Sequence, residues 1–263
     1  MRDVVYGNDR LCGTWRWCDT TKTWKVNDSF PLVSCLMPTY GRCPHHQHLL
    51  EEAVQSFVLQ DYPGPRELII LNDCREHQLV CDVPGVIVIN DWYRAPTLGD
   101  KYNRMLELAR GTFICTWEDD DISLPWRISE SVKRIGNADY FNPKSYWVIN
   151  GDVFQFEQNT GYAHNASMYR KDTALKVGGY PSDCKQDAGM DSRLRSSGKV
   201  VQGPLNVSDS FYIYRWGVTD HLSGASDPGA SYTARMGHHK IHGTFHLRPQ
   251  WKQDYTAMAR LSG

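Results

Sequence analysis

The sequence predicts an α/β fold: a mostly parallel central sheet flanked by helices. Three features predict it. Short, β-prone apolar runs recur and end in polar residues. Amphipathic stretches of helical period lie between most of them. One run, Thr112-Phe113-Ile114-Cys115-Thr116-Trp117, ends in four consecutive acids, Glu118-Asp119-Asp120-Asp121. Strand, helix, strand, strand, helix, strand is the order in which crossovers build a parallel sheet.

The elements follow in order. The first thirty residues are polar and carry Trp15, Trp17 and Trp24, as expected of an extension packing through its aromatics. Val33-Ser34-Cys35-Leu36-Met37 reads as a buried strand closed by Pro38. A helix over about 48–60 puts Leu49, Ala53, Val54, Phe57 and Val58 on one face, and Asp61-Tyr62-Pro63-Gly64-Pro65 stops it. Glu67-Leu68-Ile69-Ile70-Leu71 and Val86-Ile87-Val88-Ile89 are further strands, and residues 99–109 form the helix before the acidic strand. Beyond Pro125, a helix through Val132 and Ile135 precedes aromatic, β-branched runs at 139–141, 146–149 and 153–156, which suggest a small antiparallel patch. A short helix ends at Gly178-Gly179-Tyr180-Pro181, another covers about 187–196, and Phe211-Tyr212-Ile213-Tyr214 is a late strand. From Tyr232 the chain turns basic and histidine-rich. That tail is read as solvated, or as a track for a phosphate backbone through Arg235, Lys240, Arg248 and Lys252 with Trp251.

Bulk properties set limits. The 263 residues, 22% charged and 41% hydrophobic, can bury a real core. A formal net charge of −1 supplies no global field for nucleic acid. No apolar run reaches the length of a membrane span, and the N-terminus lacks a signal-peptide core. The eight cysteines, irregularly spaced, then read as reduced thiols in a cytoplasmic protein. Cys12, Cys18, Cys43 and His45 match no standard zinc spacing.

Ligands of parallel sheets sit outside the carboxyl ends of the strands. Three such ends carry polar punctuation: Pro38-Thr39-Tyr40-Gly41-Arg42, Asn72-Asp73, and the four acids. Adjacent carboxylates suit a hard divalent cation; equally, they suit a solvated turn capping the helix after Ser123-Leu124-Pro125.

Over residues 31–198 the chain resembles the family 2 glycosyltransferases of the GT-A fold. Residues 33–42 resemble the opening strand and Pro-Thr-Tyr-Asn-Arg loop, with Gly41 for the usual Asn. Ser56-Phe57-Val58-Leu59-Gln60-Asp61-Tyr62, the strand ending in Asn72-Asp73, residues 99–103 with Ala109-Arg110-Gly111, and Val177-Gly178-Gly179-Tyr180 follow in the family's order. The resemblance implies a GT-A (Rossmann-like) sheet with a small mixed acceptor-side sheet. It also implies an extension (1–30), a nucleotide-sugar half (31–135), an acceptor and base half (136–220) and a tail (221–263).

It further implies donor contacts from Pro38, Thr39, Tyr40, Arg42, Asp73, Lys101, Asp119 and Asp120. Thr39 and Asp73 would hold base and ribose, and a carboxylate at Asp73 suits the imide N–H of a pyrimidine, hence a UDP-sugar; as a bare residue, Asp73 also reads as a turn or cap. Arg42 and Lys101 would face the diphosphate or remain surface charges. Asp119 and Asp121 would frame an Asp-x-Asp motif for Mn2+ or Mg2+, Asp121 touching the metal and Asp119 the ribose or a metal-bound water, with His221 a further ligand. The base would be Asp187, with Asp191 one turn on as the fallback, since Gln186 stands where the family often has an acid. The implied activity is metal-dependent, inverting sugar transfer to a hydroxyl of a glycan, a small molecule or a modified base in DNA. The rival is a nucleotide-sugar-binding module that has lost catalysis. A nucleotidyltransferase would show a Gly-x-Gly-Thr-Arg loop after the first strand, and the chain has none there.

Overall fold

A computed structural model describes residues 15–18, 23–26, 30–158, 164–183, 185–216 and 241–261, the first two segments as backbone only. Strands β1 (Trp15–Cys18) and β2 (Thr23–Val26) pair antiparallel. Next come β3 (Val33–Thr39), α1 (Gln47–Val58), β4 (Arg66–Asn72), β5 (His77–Val80), β6 (Val86–Asn90), α2 (Leu98–Leu108) and β7 (Phe113–Thr116). Then follow β8 (Ile122–Ser123), α3 (Arg127–Ile135), β9 (Tyr140–Asn142), β10 (Ser145–Asn150), β11 (Val153–Gln158) and β12 (Met168–Arg170). The remainder is α4 (Lys171–Lys176), α5 (Gln186–Ser197), β13 (Val200–Gln202), β14 (Tyr212–Trp216), β15 (Gly243–His246) and α6 (Tyr255–Leu261).

Seven strands form the main sheet in the order β13-β9-β12-β7-β3-β4-β6. Every neighbouring pair is parallel except the two made by β12. β3 and β4 are buried along their whole length, as strands covered on both faces must be. Alternation divides their side chains. Cys35, Met37, Leu68 and Ile70 join the core under α1 with Leu50, Val54 and Phe57. Leu36, Ile69 and Leu71 face α2 and α5 with Tyr102, Met105 and Leu194. Each fully buried large side chain is worth about 1.5–3 kcal/mol, so both helix layers are firmly seated.

Four elements differ from the sequence expectation. Residues 140–142 join the main sheet beside β12 rather than the patch, because Met168–Arg170 inserts an antiparallel strand between them and β7. The smaller sheet, β11-β10-β14-β8, is mixed, as the family resemblance implied and unlike the antiparallel patch that the runs alone suggested, since β10 pairs with β14 in parallel. β5, too short and polar to stand out, pairs with β15. The described part of the tail is docked rather than solvated: Trp251 and Tyr255 are seated on α1, where Trp251 Nε1 donates to the Glu52 carbonyl. Among the described residues, no helix is long and apolar enough to cross a membrane.

Candidate active site

The chain leaves β3 for β4 and β6 on one side and returns to β7 on the other. That reversal makes the β3/β7 boundary the switch point at which α/β sheets open a crevice. Side-chain bonds tie the three strand ends together. Thr39 Oγ1 donates to Asp119 Oδ2 at 2.7 Å. Lys101 Nζ donates to the Thr39 carbonyl at 2.6 Å and to Asp73 Oδ1 at 2.5 Å. Lys101 arrives on α2, whose start is fixed by a capping box of Thr97 and Asp100. Burial and this pairing occupy its ammonium, and burial holds its pKa below the usual lysine range.

The four acids have four different environments. Burial alone would raise the Asp119 pKa; Arg42 and Thr39 outweigh it and hold it low. Arg42 Nε and Nη2 donate to the two Asp119 oxygens at 3.0 and 2.7 Å, and Nη2 reaches Asp120 Oδ2 at 2.7 Å. The guanidinium therefore neutralises the cluster from within. Asp121 is taken up by the Tyr212 hydroxyl on Oδ2 and by the Arg215 backbone N–H on Oδ1 at 2.8 Å. Glu118 accepts from Tyr102 at 2.8 Å. Burial, then the charges of Asp187 and Asp120, push the Glu118 pKa well above the carboxylate range. Asp120 commits one carboxylate oxygen: Arg42 holds Oδ2, while its carbonyl accepts from Arg215 Nε.

α5 brings Asp187 close enough to the acids for its charge to act on Glu118. Gly178 and Gly179 both have positive φ, +80° and +64°, which only glycine adopts cheaply. The turn they make is gripped by Asn103 of α2 and by Arg193, whose Nη1 donates to the Gly178 and Gly179 carbonyls. A Cβ on Gly99 would lie 2.0 Å from the Pro181 carbonyl, so α2 and this turn meet backbone to backbone. That contact sets the start of α5 and Asp187 on its first turn. Asp187 Oδ1 is buried with no partner, and burial raises its pKa. Asp191 is committed elsewhere, accepting from Tyr140 at 2.5 Å and Asn142 at 3.2 Å and pairing with Arg195 at 2.6 Å.

A cleft of about 200 Å³ opens beside Asp73, lined by Leu71, Tyr93, Arg94, Pro96 and Arg104. The Arg94 guanidinium carbon sits 3.8 Å above the Tyr40 ring, and the Ala95 N–H donates to Asp73 Oδ2 at 3.0 Å. Pro38 is buried in β3 opposite Leu71.

Sequence reasoning missed Arg94, Tyr212 and Arg215, whose contacts come from distant elements. It also missed His164, whose Nε2 meets the Tyr180 hydroxyl at 2.9 Å. Tyr214-Arg215-Trp216 at a strand end was the available signal for Arg215. His221 lies outside the described residues, as do Cys12 and the side chain of Cys18.

Among the described residues, no three His, Cys, Asp or Glu side chains gather around one point. A divalent ion would have to be held in a different way. Mg2+ and similar ions take one or two protein carboxylates and draw their other ligands from phosphates and water; Asp120 provides such a carboxylate.

A mostly parallel sheet with acids at its switch point, a cleft alongside and a further carboxylate close by defines a GT-A glycosyltransferase architecture. The family model described as "Glycosyl transferase family 2" matches residues 34–189, and the chain belongs to that family. It is 30% identical over 106 residues to the glycosyl transferase WcaA of Escherichia coli (strain K12), named for colanic acid biosynthesis. That match takes in 38% of this chain and spans 36% of the length of WcaA. Among solved structures it resembles S. aureus TarS 1-349 in complex with UDP-GlcNAc (TM-score 0.59, 16% identity, 73% of this chain and 61% of that one). It also resembles the mannosyltransferase PcManGT from Pyrobaculum calidifontis in complex with GDP-Man and Mn2+ (TM-score 0.50, 13% identity, 72% and 58%).

Proposed function

We propose that the chain is a metal-dependent, inverting glycosyltransferase using a nucleoside diphosphate sugar, read as a UDP-sugar. The observation that carries this reading is the presence in one site of a partly committed metal-type carboxylate, Asp120, and of Asp187, whose Oδ1 is buried and unpartnered. The nucleotide complexes of TarS and PcManGT support the donor class, and Mn2+ in the latter supports the metal.

In this reading the half over 31–135 binds the donor. Asp73 retains lone pairs for a base N–H beyond its bonds to Lys101 and Ala95, and Arg94 on Tyr40 offers a flat wall to the base. Thr39 and Asp119 lie toward the ribose. Arg42 and Lys101 are engaged by acids, so they set the charge of the site rather than grip phosphate. Arg215 Nη2, buried and without a partner, is the better group for a diphosphate oxygen. Both Asp121 oxygens serve Tyr212 and Arg215, which moves the metal contact to Asp120. Bound there, Mn2+ or Mg2+ would stabilise charge on the departing diphosphate.

The half over 136–220 supplies the base. The acceptor oxygen attacks the anomeric carbon from the side opposite the diphosphate and Asp187 takes its proton. The bond from that carbon to the phosphate oxygen breaks, and configuration inverts. Asp187 is preferred to Asp191, whose oxygens are held by Tyr140, Asn142 and Arg195. The acceptor is a hydroxyl of a glycan, a small molecule or a modified DNA base. The last loses the stacking platform expected at Trp251, which is bound to α1.

The test is a thermal-shift panel of nucleoside diphosphate sugars with and without Mn2+, followed by donor hydrolysis and transfer. Metal-dependent stabilisation by a UDP-sugar, then turnover, is the expected result. Absence of binding by any donor sinks the proposal. Binding without turnover selects the inactive-module reading, which Gln186 at the head of α5 favours.

A further inference from the structure

Glu52 lies on α1, outside every motif the sequence offered, and is 1% exposed. Its carboxylate is fully used. Oε2 pairs with Arg215 Nη1 at 2.6 Å. Oε1 accepts the Lys252 backbone N–H at 3.0 Å and the Tyr255 hydroxyl at 2.8 Å. The same turn of α1 receives Trp251 Nε1 at the Glu52 carbonyl (3.2 Å) and at Ser56 Oγ (3.1 Å). Glu51, its neighbour, accepts the Arg248 N–H at 2.9 Å. Arg215 in turn gives its backbone N–H to Asp121 and its Nε to the Asp120 carbonyl. Two side chains thus connect the segment 248–255 to the acid cluster, although that segment lies far beyond the family match at 34–189.

An isolated buried glutamate pays a heavy desolvation penalty, and it is tolerable only because three donors meet it. Arg215 without Glu52 would keep a guanidinium in the same buried space with the carboxylate partner of its Nη1 gone. Its torsions, and the Asp120–Asp121 turn hanging on its N–H groups, would loosen together.

We propose that Glu52 is a positioning residue for the donor site: locked by Lys252 and Tyr255, it orients Arg215 and, through Arg215, the Asp120–Asp121 turn that receives a diphosphate and its metal. This rests on the donor reading above and extends it, making the C-terminal segment part of the donor site. A purely structural Glu52 would affect stability alone.

The experiment is calorimetric titration of the full chain with the tighter of UDP and GDP in Mn2+, and with the matching nucleoside, which lacks phosphates. Glu52→Gln should weaken the nucleoside diphosphate about tenfold or more, the scale of a charge-assisted hydrogen bond, and leave the nucleoside unchanged. Tyr255→Phe, which removes one hydroxyl, should weaken it in the same sense by about two- to fivefold, and it decides the matter if Glu52→Gln does not fold. Glu67→Gln is the control. Glu67 is an equally buried carboxylate held by Ser34 and Arg110 at the opposite end of β4, and its loss should lower Tm without moving either affinity. Unchanged diphosphate affinity in a folded Glu52→Gln or in Tyr255→Phe overturns the proposal while leaving the donor reading intact. Failure of the unsubstituted chain to bind either diphosphate overturns both.

Discussion

Asn103 holds Tyr180 by both sides of its backbone: Oδ1 accepts the Tyr180 N–H at 2.7 Å and Nδ2 donates to the Tyr180 carbonyl at 2.9 Å. The contact joins α2, which carries Lys101 to Asp73, to the turn that launches α5. Donor side and base side are therefore set against one another by this amide together with the Gly99–Pro181 backbone contact. Asn103→Ala is expected to lower kcat by about 10–100-fold through misplacement of Asp187, with donor KM within about twofold. Steady-state kinetics check this; a loss of Tm with kcat unchanged would reduce Asn103 to a structural tie. Gly179→Ala should behave alike, because its Cβ would fall 2.2 Å from Asn103 Oδ1 at a φ of +64°.

Asp187 predicts opposite effects on activity and stability. Its folded pKa is raised by burial above the unfolded value of about 3.9. The native state then keeps this proton to higher pH than the unfolded chain does. Stability contributed here is present at low pH and is lost as pH rises through the folded pKa. Asp187→Asn should abolish transfer, a loss of about 10²–10⁴-fold, yet melt higher than the parent at neutral pH. The difference should vanish as pH falls below about 4. Melting curves across that range give the answer, and a variant less stable than the parent at neutral pH contradicts it. In the parent, the acid limb of the rate profile should fall above the ordinary aspartate range. Glu118 is also raised, so the midpoint belongs to the pair.

What the sequence could disclose follows from the range of the interactions involved. Buried strands β3 and β4 announce themselves because both faces are covered and nearly every residue is apolar. β12 has three residues and no period to read, although it decides where β9 goes. The convergence of Thr39, Asp73 and the acids was legible from strand grammar. The division of labour among Glu118, Asp119, Asp120 and Asp121 was not. Four acids in a row differ chiefly through Tyr102, Thr39, Arg42, Arg215 and Tyr212, most of which lie tens of residues away. Arg42 and Lys101 were visible as charges, but their partners were not, so phosphate contacts were the natural expectation and internal pairing the outcome.

That division can be measured. Asp120→Asn should leave Tm nearly unchanged while shifting the Mn2+ requirement by about tenfold or more. Asp121→Asn turns an amide NH2 toward one of two donors, the Tyr212 hydroxyl or the Arg215 N–H. It should cost about 1–3 kcal/mol of stability. Denaturant unfolding alongside a Mn2+ titration separates the two. The reverse assignment, with Asp121→Asn stable and metal-blind, would return the metal to Asp121.

Arg94 tests the base pocket. Its guanidinium carbon, 3.8 Å above Tyr40, is at stacking distance, and its loop is pinned to Asp73 through the Ala95 N–H. A planar cation on an aromatic face makes a rigid wall beside the carboxylate assigned to the base. A nucleobase seated there gains contact area without ordering a floppy side chain. Arg94→Ala should raise donor KM about 5- to 30-fold, the worth of a partly desolvated cation–π contact, and leave kcat alone, since the base is remote from the breaking bond. Arg94→Lys should fall in between, because an ammonium keeps the charge and loses the plane. A drop in kcat at constant KM would place Arg94 with the reacting atoms and empty the base pocket of its wall.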